Sequence, residues 1–145
     1  MSRAPNRHAY IHWQESDEQG EMIIDEQHRA IVATINSFYY FLSQGYGVQE
    51  LKPTLELLLK YMLFHLKTEE GILHTTEYPD LSRYAEIQKS TITGLKGSIK
   101  NATQFNQPEE VLLFLKHWWL SHLQEHEVIT PFCHNWSGEY CHVPE

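Results

Sequence analysis

Apolar residues recur at three- and four-residue spacing in four separate segments of the chain, a period typical of amphipathic helices. The pattern predicts a first helix that begins near Met22, a second over residues 49–75, and a third over residues 81–104. A fourth helix is predicted to begin after Pro108, which suits the first turn of a helix, and to end at Pro131. The sequence therefore predicts an all-α protein.

The connections between the predicted helices are only a few residues long, so each helix has to turn back against the one before it. Such connectivity favours an up-down-up-down antiparallel four-helix bundle. With 145 residues, the chain has the size of a single domain. We expect one domain over residues 1–145, with an N-terminal arm over 1–20, the bundle over 21–130 and a short C-terminal tail over 131–145.

Composition and charge narrow the function classes. The hydrophobic content of 41% is ordinary for a globular protein, and no apolar run approaches the roughly 18 residues of a membrane span. The formal net charge of −8 argues against nucleic acid as a partner, because phosphate binding needs clustered Lys and Arg. Residues 1–30 lack the continuous apolar stretch of a secretion signal, so we expect a cytoplasmic location. The sequence leaves the oligomeric state open.

Polar residues interrupt the apolar faces of the predicted helices. His65 and Glu69 are four residues apart, which places both on one helix face where they can touch one metal ion. The stripe of the fourth helix turns polar at His122 and His126, and His28 lies in the first helix. A buried polar group without a partner costs on the order of 2–7 kcal/mol, and a metal ion would pair these groups directly. Nitrogen and oxygen donors without thiolate suit iron, manganese or zinc, and two histidines with a carboxylate match the facial triad of oxygen-reactive iron(II).

Three sequence motifs accompany these residues. They are Trp13 and Gly20 ahead of Ile24-Asp25-Glu26-Gln27-His28 and Asn36, then His65 with Glu69-Glu70 and Tyr78-Pro79, and then Phe114-Leu115 with Trp118 and His122. In this combination and order they resemble the hemerythrin family of cation-binding domains, and the bacterial hemerythrins in particular. The resemblance spans residues 13–132, so the single domain is expected to be hemerythrin-like.

The resemblance implies a pair of irons, bridged by a glutamate, an aspartate and an oxygen atom, that binds dioxygen reversibly as a peroxide. By position, His28 and His65 resemble ligands of the iron that receives dioxygen, and Glu69 resembles a bridging carboxylate. His122 resembles the fourth-helix histidine of the partner iron. Glu127 falls where the family usually has a bridging aspartate.

The third helix departs from the family pattern. Tyr84 and Gln88 stand where the family has His-x-x-x-His, so two imidazole ligands of the partner iron are missing. Three hypotheses follow. Tyr84 could bind ferric iron as a phenolate, with Gln88 supplying an amide oxygen or a hydrogen bond at a di-metal site. Alternatively, only one metal remains, held by His28, His65 and Glu69. The third hypothesis is a metal-free bundle whose polar groups bond to one another.

The fourth helix carries a geometric conflict. At 100° per residue, Glu127 lies ~140° around the helix from His122, whereas His126 lies only ~40° away. A regular helix would therefore favour His126 as the second ligand, and Glu127 could point inward only through an irregularity such as a π-bulge. The family spacing favours Glu127, so we expect Glu127 as the ligand and keep His126 as a candidate that could compensate for a lost histidine.

The leading functional hypothesis is a cytoplasmic non-heme iron protein, di-iron or mononuclear, that binds or reacts with dioxygen, nitric oxide or peroxide. Manganese and zinc are alternative metals. Simple reversible dioxygen carriage is disfavoured, because in this family it takes one electron from each of two irons. Two alternatives stay open: an oxidase or peroxidase that uses Tyr84, and a metal-free sensor or interaction module.

Overall fold

The computed structural model describes residues 9–138. A single turn of 3₁₀ helix, Glu15–Asp17, precedes four long helices. These are α1 (Met22–Ser43), α2 (Val48–Thr75), α3 (Leu81–Phe105) and α4 (Pro108–His134). Among the described residues there are no strands, and each helix packs against the next in an up-down-up-down bundle, as predicted. None of these helices combines the length and the apolar character that a membrane crossing requires.

The helix boundaries follow the sequence closely, with one difference at the end of α4. Pro131 was predicted to end this helix, but α4 continues through it to His134. A proline at this position removes the hydrogen bond to the carbonyl of Glu127, and both residues are exposed, so water can take the place of the lost donor. The extra turn also buries Cys133 against the apolar residues at this end of the bundle.

Packing supports the middle of α3, where Thr91, Thr93, Gly94, Gly97 and Ser98 have low helix propensity. A Cβ atom added at Gly94 would come within 2.9 Å of the Phe114 ring on α4. The glycine therefore lets the two helices approach closely, at the usual cost of about 1 kcal/mol in helix propensity. The helix ends where Asn106 adopts a left-handed conformation with φ of 53°.

The N-terminal arm is fixed to the bundle by two side chains of α1. The amide of Asn36 accepts hydrogen bonds from the backbone N–H groups of Tyr10 and Ile11 and donates one to the Ile11 carbonyl. The Asp25 carboxylate accepts from the backbone N–H groups of Gln19 and Gly20. The part of the predicted arm over residues 1–8 and the part of the predicted tail over residues 139–145 lie outside the described residues.

The interior consists of two apolar clusters with a polar layer between them. The larger cluster includes Ile35 on α1, Leu58 on α2 and Leu115 on α4. The smaller cluster, near the other end of the bundle, includes Ile24 and Ile129. Along α1, α2 and α4, the residues that separate the two clusters are histidines and a glutamate, all of them buried.

Candidate metal centre

Five buried side chains converge in the polar layer. They are His28 from α1, His65 and Glu69 from α2, and His122 and His126 from α4. One donor atom from each lies within 4.8 Å of all the others. Their exposed fractions are 0% for four residues and 1% for His126, so the donors are withdrawn from solvent. We call these five residues the donor cluster; it could hold a metal ion.

Regular helix geometry is sufficient to build this cluster. His65 and Glu69 are separated by one turn of α2, and His122 and His126 by one turn of α4. The four-residue spacing stacks each pair on one face of its helix. Antiparallel packing then brings the late part of α2 and the late part of α4 to the same level as His28, which lies early in α1.

The distances inside the cluster match the edges of a single coordination sphere. The Nε2 atom of His65 lies 3.0 Å from Nε2 of His28, 3.2 Å from Nε2 of His122 and 3.3 Å from Oε2 of Glu69. Nε2 of His28 and Oε2 of Glu69 are 4.0 Å apart. With metal–ligand bonds of about 2.1 Å, neighbouring ligands of an octahedron lie about 3.0 Å apart and opposite ligands about 4.2 Å apart.

Outer hydrogen bonds orient two of the imidazoles. Nδ1 of His65 donates to Oε1 of Gln27 at 2.9 Å, and Nδ1 of His122 donates to Oε1 of Glu125 at 3.2 Å. Gln88 extends the second contact, because its Nε2 donates to Oε2 of Glu125 at 2.9 Å. A hydrogen on Nδ1 leaves Nε2 with a lone pair, so both rings present a metal-binding nitrogen to the centre of the cluster.

Nδ1 of His126 also makes a hydrogen bond that points away from the centre of the cluster. The hydroxyl of Thr130 donates to Oε1 of Gln19 at 2.8 Å, so its oxygen accepts from Nδ1 of His126, also at 2.8 Å. Nε2 of His126 then faces Oε2 of Glu69 at 2.7 Å. Gln19 belongs to the arm, which therefore helps to orient a member of the donor cluster.

The chemistry of the donor cluster fits a bound cation better than it fits a layer of polar groups without one. Three imidazoles have their Nδ1 hydrogens directed outward, so their Nε2 atoms meet one another and a carboxylate at the centre. Nδ1 of the fourth, His28, has no hydrogen-bond partner among the described residues. Nitrogen lone pairs at these separations repel unless a proton or a metal ion lies between them. The residues therefore fit a metal ion.

Burial and charge set the protonation states within the cluster. Burial alone would raise the pKa of Glu69, but interactions with His122, His126 and His65 outweigh burial and hold this pKa well below its usual value. Burial lowers the pKa of His28 and the pKa of His65. An ionised carboxylate and neutral imidazoles are the forms that bind metal ions.

His122 is the exception. Burial again acts to lower its pKa, but the carboxylates of Glu69 and Glu125 outweigh burial and raise this pKa to about 9. In the absence of a metal ion, a proton on His122 therefore compensates part of the negative charge buried at the centre of the layer.

Three residues that were predicted from the sequence as metal ligands or possible ligands lie outside the donor cluster. The phenol of Tyr84 donates a hydrogen bond to Oε1 of Glu69 at 2.6 Å, and burial together with Glu69 raises the pKa of this phenol well above its usual value. Gln88 bonds to Glu125, as described above. Glu127 is exposed, because α4 remains a regular α-helix without a π-bulge and turns His126 inward instead.

Sequence reasoning missed the outer partners of the histidines. Gln27 directly precedes His28, Glu125 follows His122 by three residues, and Thr130 follows His126 by four. The last two spacings place acceptors within reach of a histidine on the same helix face, and they could have been recognised. Gln27 could not, because it lies on α1 and its partner His65 lies on α2.

Comparisons with protein-family models, with curated proteins and with solved structures found no match to this chain. Its own geometry therefore carries the structural conclusion: the chain is a four-helix bundle with a buried cluster of four histidines and one glutamate that could hold a metal ion.

Proposed function

We propose that this chain is a hemerythrin-like non-heme iron protein that holds one iron ion in the donor cluster and binds or reacts with dioxygen, nitric oxide or peroxide. The observation that carries the proposal is the convergence of five buried donors within 4.8 Å of one another. The motifs that resemble the hemerythrin family support iron over manganese or zinc, which the same donors could also bind.

The size of the cluster favours one ion over two. In two-metal sites the ions lie about 3.5–4 Å apart, so ligands at opposite ends are separated by roughly 6–8 Å. The donors here are closer together than that. Tyr84 and Gln88, which take the place of two histidines of the family, make hydrogen bonds to Glu69 and Glu125. This supports the mononuclear hypothesis, with His122 and His126 added to the expected three ligands.

Five single-atom donors would leave one position of an octahedron open, as metal sites that react with small molecules usually do. Bound iron would supply at that position a redox-active site for a small ligand. The protein supplies the rest: Gln27, Glu125 and Thr130 hold the imidazoles in place, and the surrounding apolar clusters exclude bulk water.

The α3 side of the donor cluster borders two clefts. Clefts of about 210 Å³ and about 490 Å³ flank α3, and Tyr84 lines both of them. The phenol of Tyr84 contacts Glu69 directly. A movement of this one side chain would connect the donor cluster with these clefts.

One ion is not expected to carry dioxygen reversibly in the manner of the family, because two irons share the electrons in that reaction. We therefore propose sensing of a small ligand, or reaction with it, as the function. No part of this proposal requires a membrane or a nucleic acid.

The test begins with metal content. Protein produced in iron-rich medium should contain one iron per chain, and Glu69→Gln should lose most of it, whereas the same change at exposed Glu127 should not. The ferrous protein should then give an absorption spectrum with nitric oxide, or after exposure to air, that differs from its anaerobic spectrum. Identical spectra under all three conditions, or a metal-free protein, would contradict the proposal.

A further inference from the structure

Aromatic rings connect the donor cluster with the protein surface. The ring of Trp118 is stacked on His122, with centroids 5.0 Å apart and an interplanar angle of 19°. Trp119 contacts His28 edge-on at 5.1 Å. The two indoles are 6.1 Å apart, and Trp119 lies 5.7 Å from Trp13 of the arm. All four separations are within the range of direct aromatic contact.

The outer end of this series differs chemically from its inner members. Trp13 is partly exposed, and its Nε1–H donates to Oε1 of Glu18 at 3.3 Å. The guanidinium of Arg29 lies over the Trp13 ring at 5.4 Å and also pairs with Glu18. Trp118, by contrast, is buried and its Nε1 has no hydrogen-bond partner among the described residues.

We propose that Trp118, Trp119 and Trp13 form an electron-transfer path between the metal ion and the surface, with Trp13 as its outer terminus. This inference rests on the iron site proposed above. Electron tunnelling weakens steeply with distance, so rings in contact are far better relays than the aliphatic side chains around them. Indole is also among the most readily oxidised side chains of proteins.

The local contacts explain why the oxidising equivalent would stop at Trp13. Loss of an electron makes the indole N–H strongly acidic, and Glu18 is positioned to accept that proton. The Arg29 cation disfavours a positive ring, so the product at Trp13 is a neutral radical. Trp118 has no such acceptor and can only pass the charge on.

The electrons and protons balance with hydrogen peroxide as the oxidant. Reduction of one peroxide molecule to two water molecules breaks the O–O bond and takes up two electrons and two protons. Ferrous iron held by the donor cluster would supply one of these electrons. Trp13 would supply the second electron through Trp119 and lose its indole proton to Glu18, which passes that proton to solvent. Solvent would supply both protons that the peroxide takes up. The path thus removes an oxidising equivalent that would otherwise damage the histidines.

The experiment treats the ferrous protein with a stoichiometric amount of hydrogen peroxide and follows radicals by electron paramagnetic resonance. Peptide mass spectrometry then locates oxygenated side chains. In the wild type we expect a tryptophan radical and oxygenation concentrated at Trp13. Trp13→Phe should abolish both signals, and Glu18→Gln should shorten the radical lifetime severalfold.

Two controls separate this path from non-specific damage. Trp136, which packs on the smaller apolar cluster, is the matched tryptophan, and Trp136→Phe should leave the radical and the Trp13 product unchanged. Zinc-loaded protein, which cannot supply an electron, should give no Trp13 product. If it gives as much as the iron form, oxidation at Trp13 comes directly from solution and the path is excluded.

Failure of the path and failure of the iron site give different results. A protein that binds no iron overturns both proposals. The path alone is overturned if the bound iron consumes peroxide but the radical forms on Tyr84 or the oxygenated side chains are the histidines. If peroxide is not consumed, the path is tested with a photogenerated one-electron oxidant in solution. This oxidant should oxidise the ferrous ion severalfold more slowly in Trp13→Phe than in the wild type. Equal rates would overturn the path.

Discussion

Helix α3 meets the polar layer in a different way from the other three helices. Helices α1, α2 and α4 contribute imidazoles and one carboxylate, and their donor atoms lie within 4.8 Å of one another. Helix α3 contributes Tyr84 and Gln88, which are also buried but donate hydrogen bonds to Glu69 and to Glu125. One side of the layer thus offers lone pairs to a cation, and the other side offers hydrogens to carboxylates.

This difference leads to a prediction about the number of metal ions that the bundle would hold. The phenol of Tyr84 and the amide N–H of Gln88 donate hydrogen bonds to carboxylates, and such donors provide no lone pair to a metal ion in the donor cluster. In the proposed site, Tyr84 and Gln88 would take the positions from which a second ion would need ligands. We therefore expect that altering the inner donors removes metal, whereas altering α3 changes how many ions bind and how tightly.

The largest effect is expected at His65, because its Nε2 lies close to three other members of the cluster. His65→Ala should abolish iron binding, measured as metal content per purified chain. His117, an exposed histidine of α4, provides the matched control, and His117→Ala should retain a full ion. Circular dichroism would show that both variants keep the helical fold. Full metal content in a folded His65→Ala protein would exclude the donor cluster as the binding site.

Imidazoles restored on α3 test whether this helix limits the number of ions. The combined change Tyr84→His and Gln88→His places two histidines one turn apart, next to Glu69 and Glu125. Metal content should rise above one ion per chain toward two. The single change Gln88→His is the control and should stay at one. A double variant that also stays at one ion would mean that α3 does not set the limit.

Outer partners should have smaller effects on affinity. Gln27→Ala and Glu125→Ala remove the acceptors for Nδ1 of His65 and His122, so each should weaken metal binding by about 10–100-fold. Competition with a chelator of known affinity would measure this. Gln88→Ala acts through Glu125 and should weaken binding less. The control Glu127→Ala, at an exposed position of α4, should leave affinity unchanged. Equal losses in all four variants would indicate general destabilisation.

The smallest effect is expected from Tyr84→Phe in the visible spectrum of the ferric protein. Because the Tyr84 hydroxyl donates to Glu69, it keeps its proton and does not bind iron, so no tyrosinate-to-iron absorption band should be present. The wild-type and Tyr84→Phe spectra should therefore agree closely above the near-ultraviolet. An intense band that disappears in the variant would show that the phenolate is a ligand, as in the first di-metal hypothesis.

Much of the fold follows from local pattern. The three- and four-residue spacing of apolar residues predicted four helices and their order, and the beginnings of α1, α3 and α4 agree closely with prediction. Pro131 was assigned the wrong role because the sequence does not reveal that the carbonyl it leaves without a donor faces water. The proposed iron and its small ligand stay predictions.

By itself, the sequence determined which residues share a helix face, since helix geometry fixes that relation. His65 with Glu69 and His122 with His126 are both four-residue pairs. Only the tertiary structure decided what those faces meet. Contacts between helices direct Tyr84 toward Glu69, Gln88 toward Glu125 and Gln27 toward His65. These contacts depend on how far one helix is rotated and shifted along its axis relative to another. The spacing of residues along a single helix does not give that information.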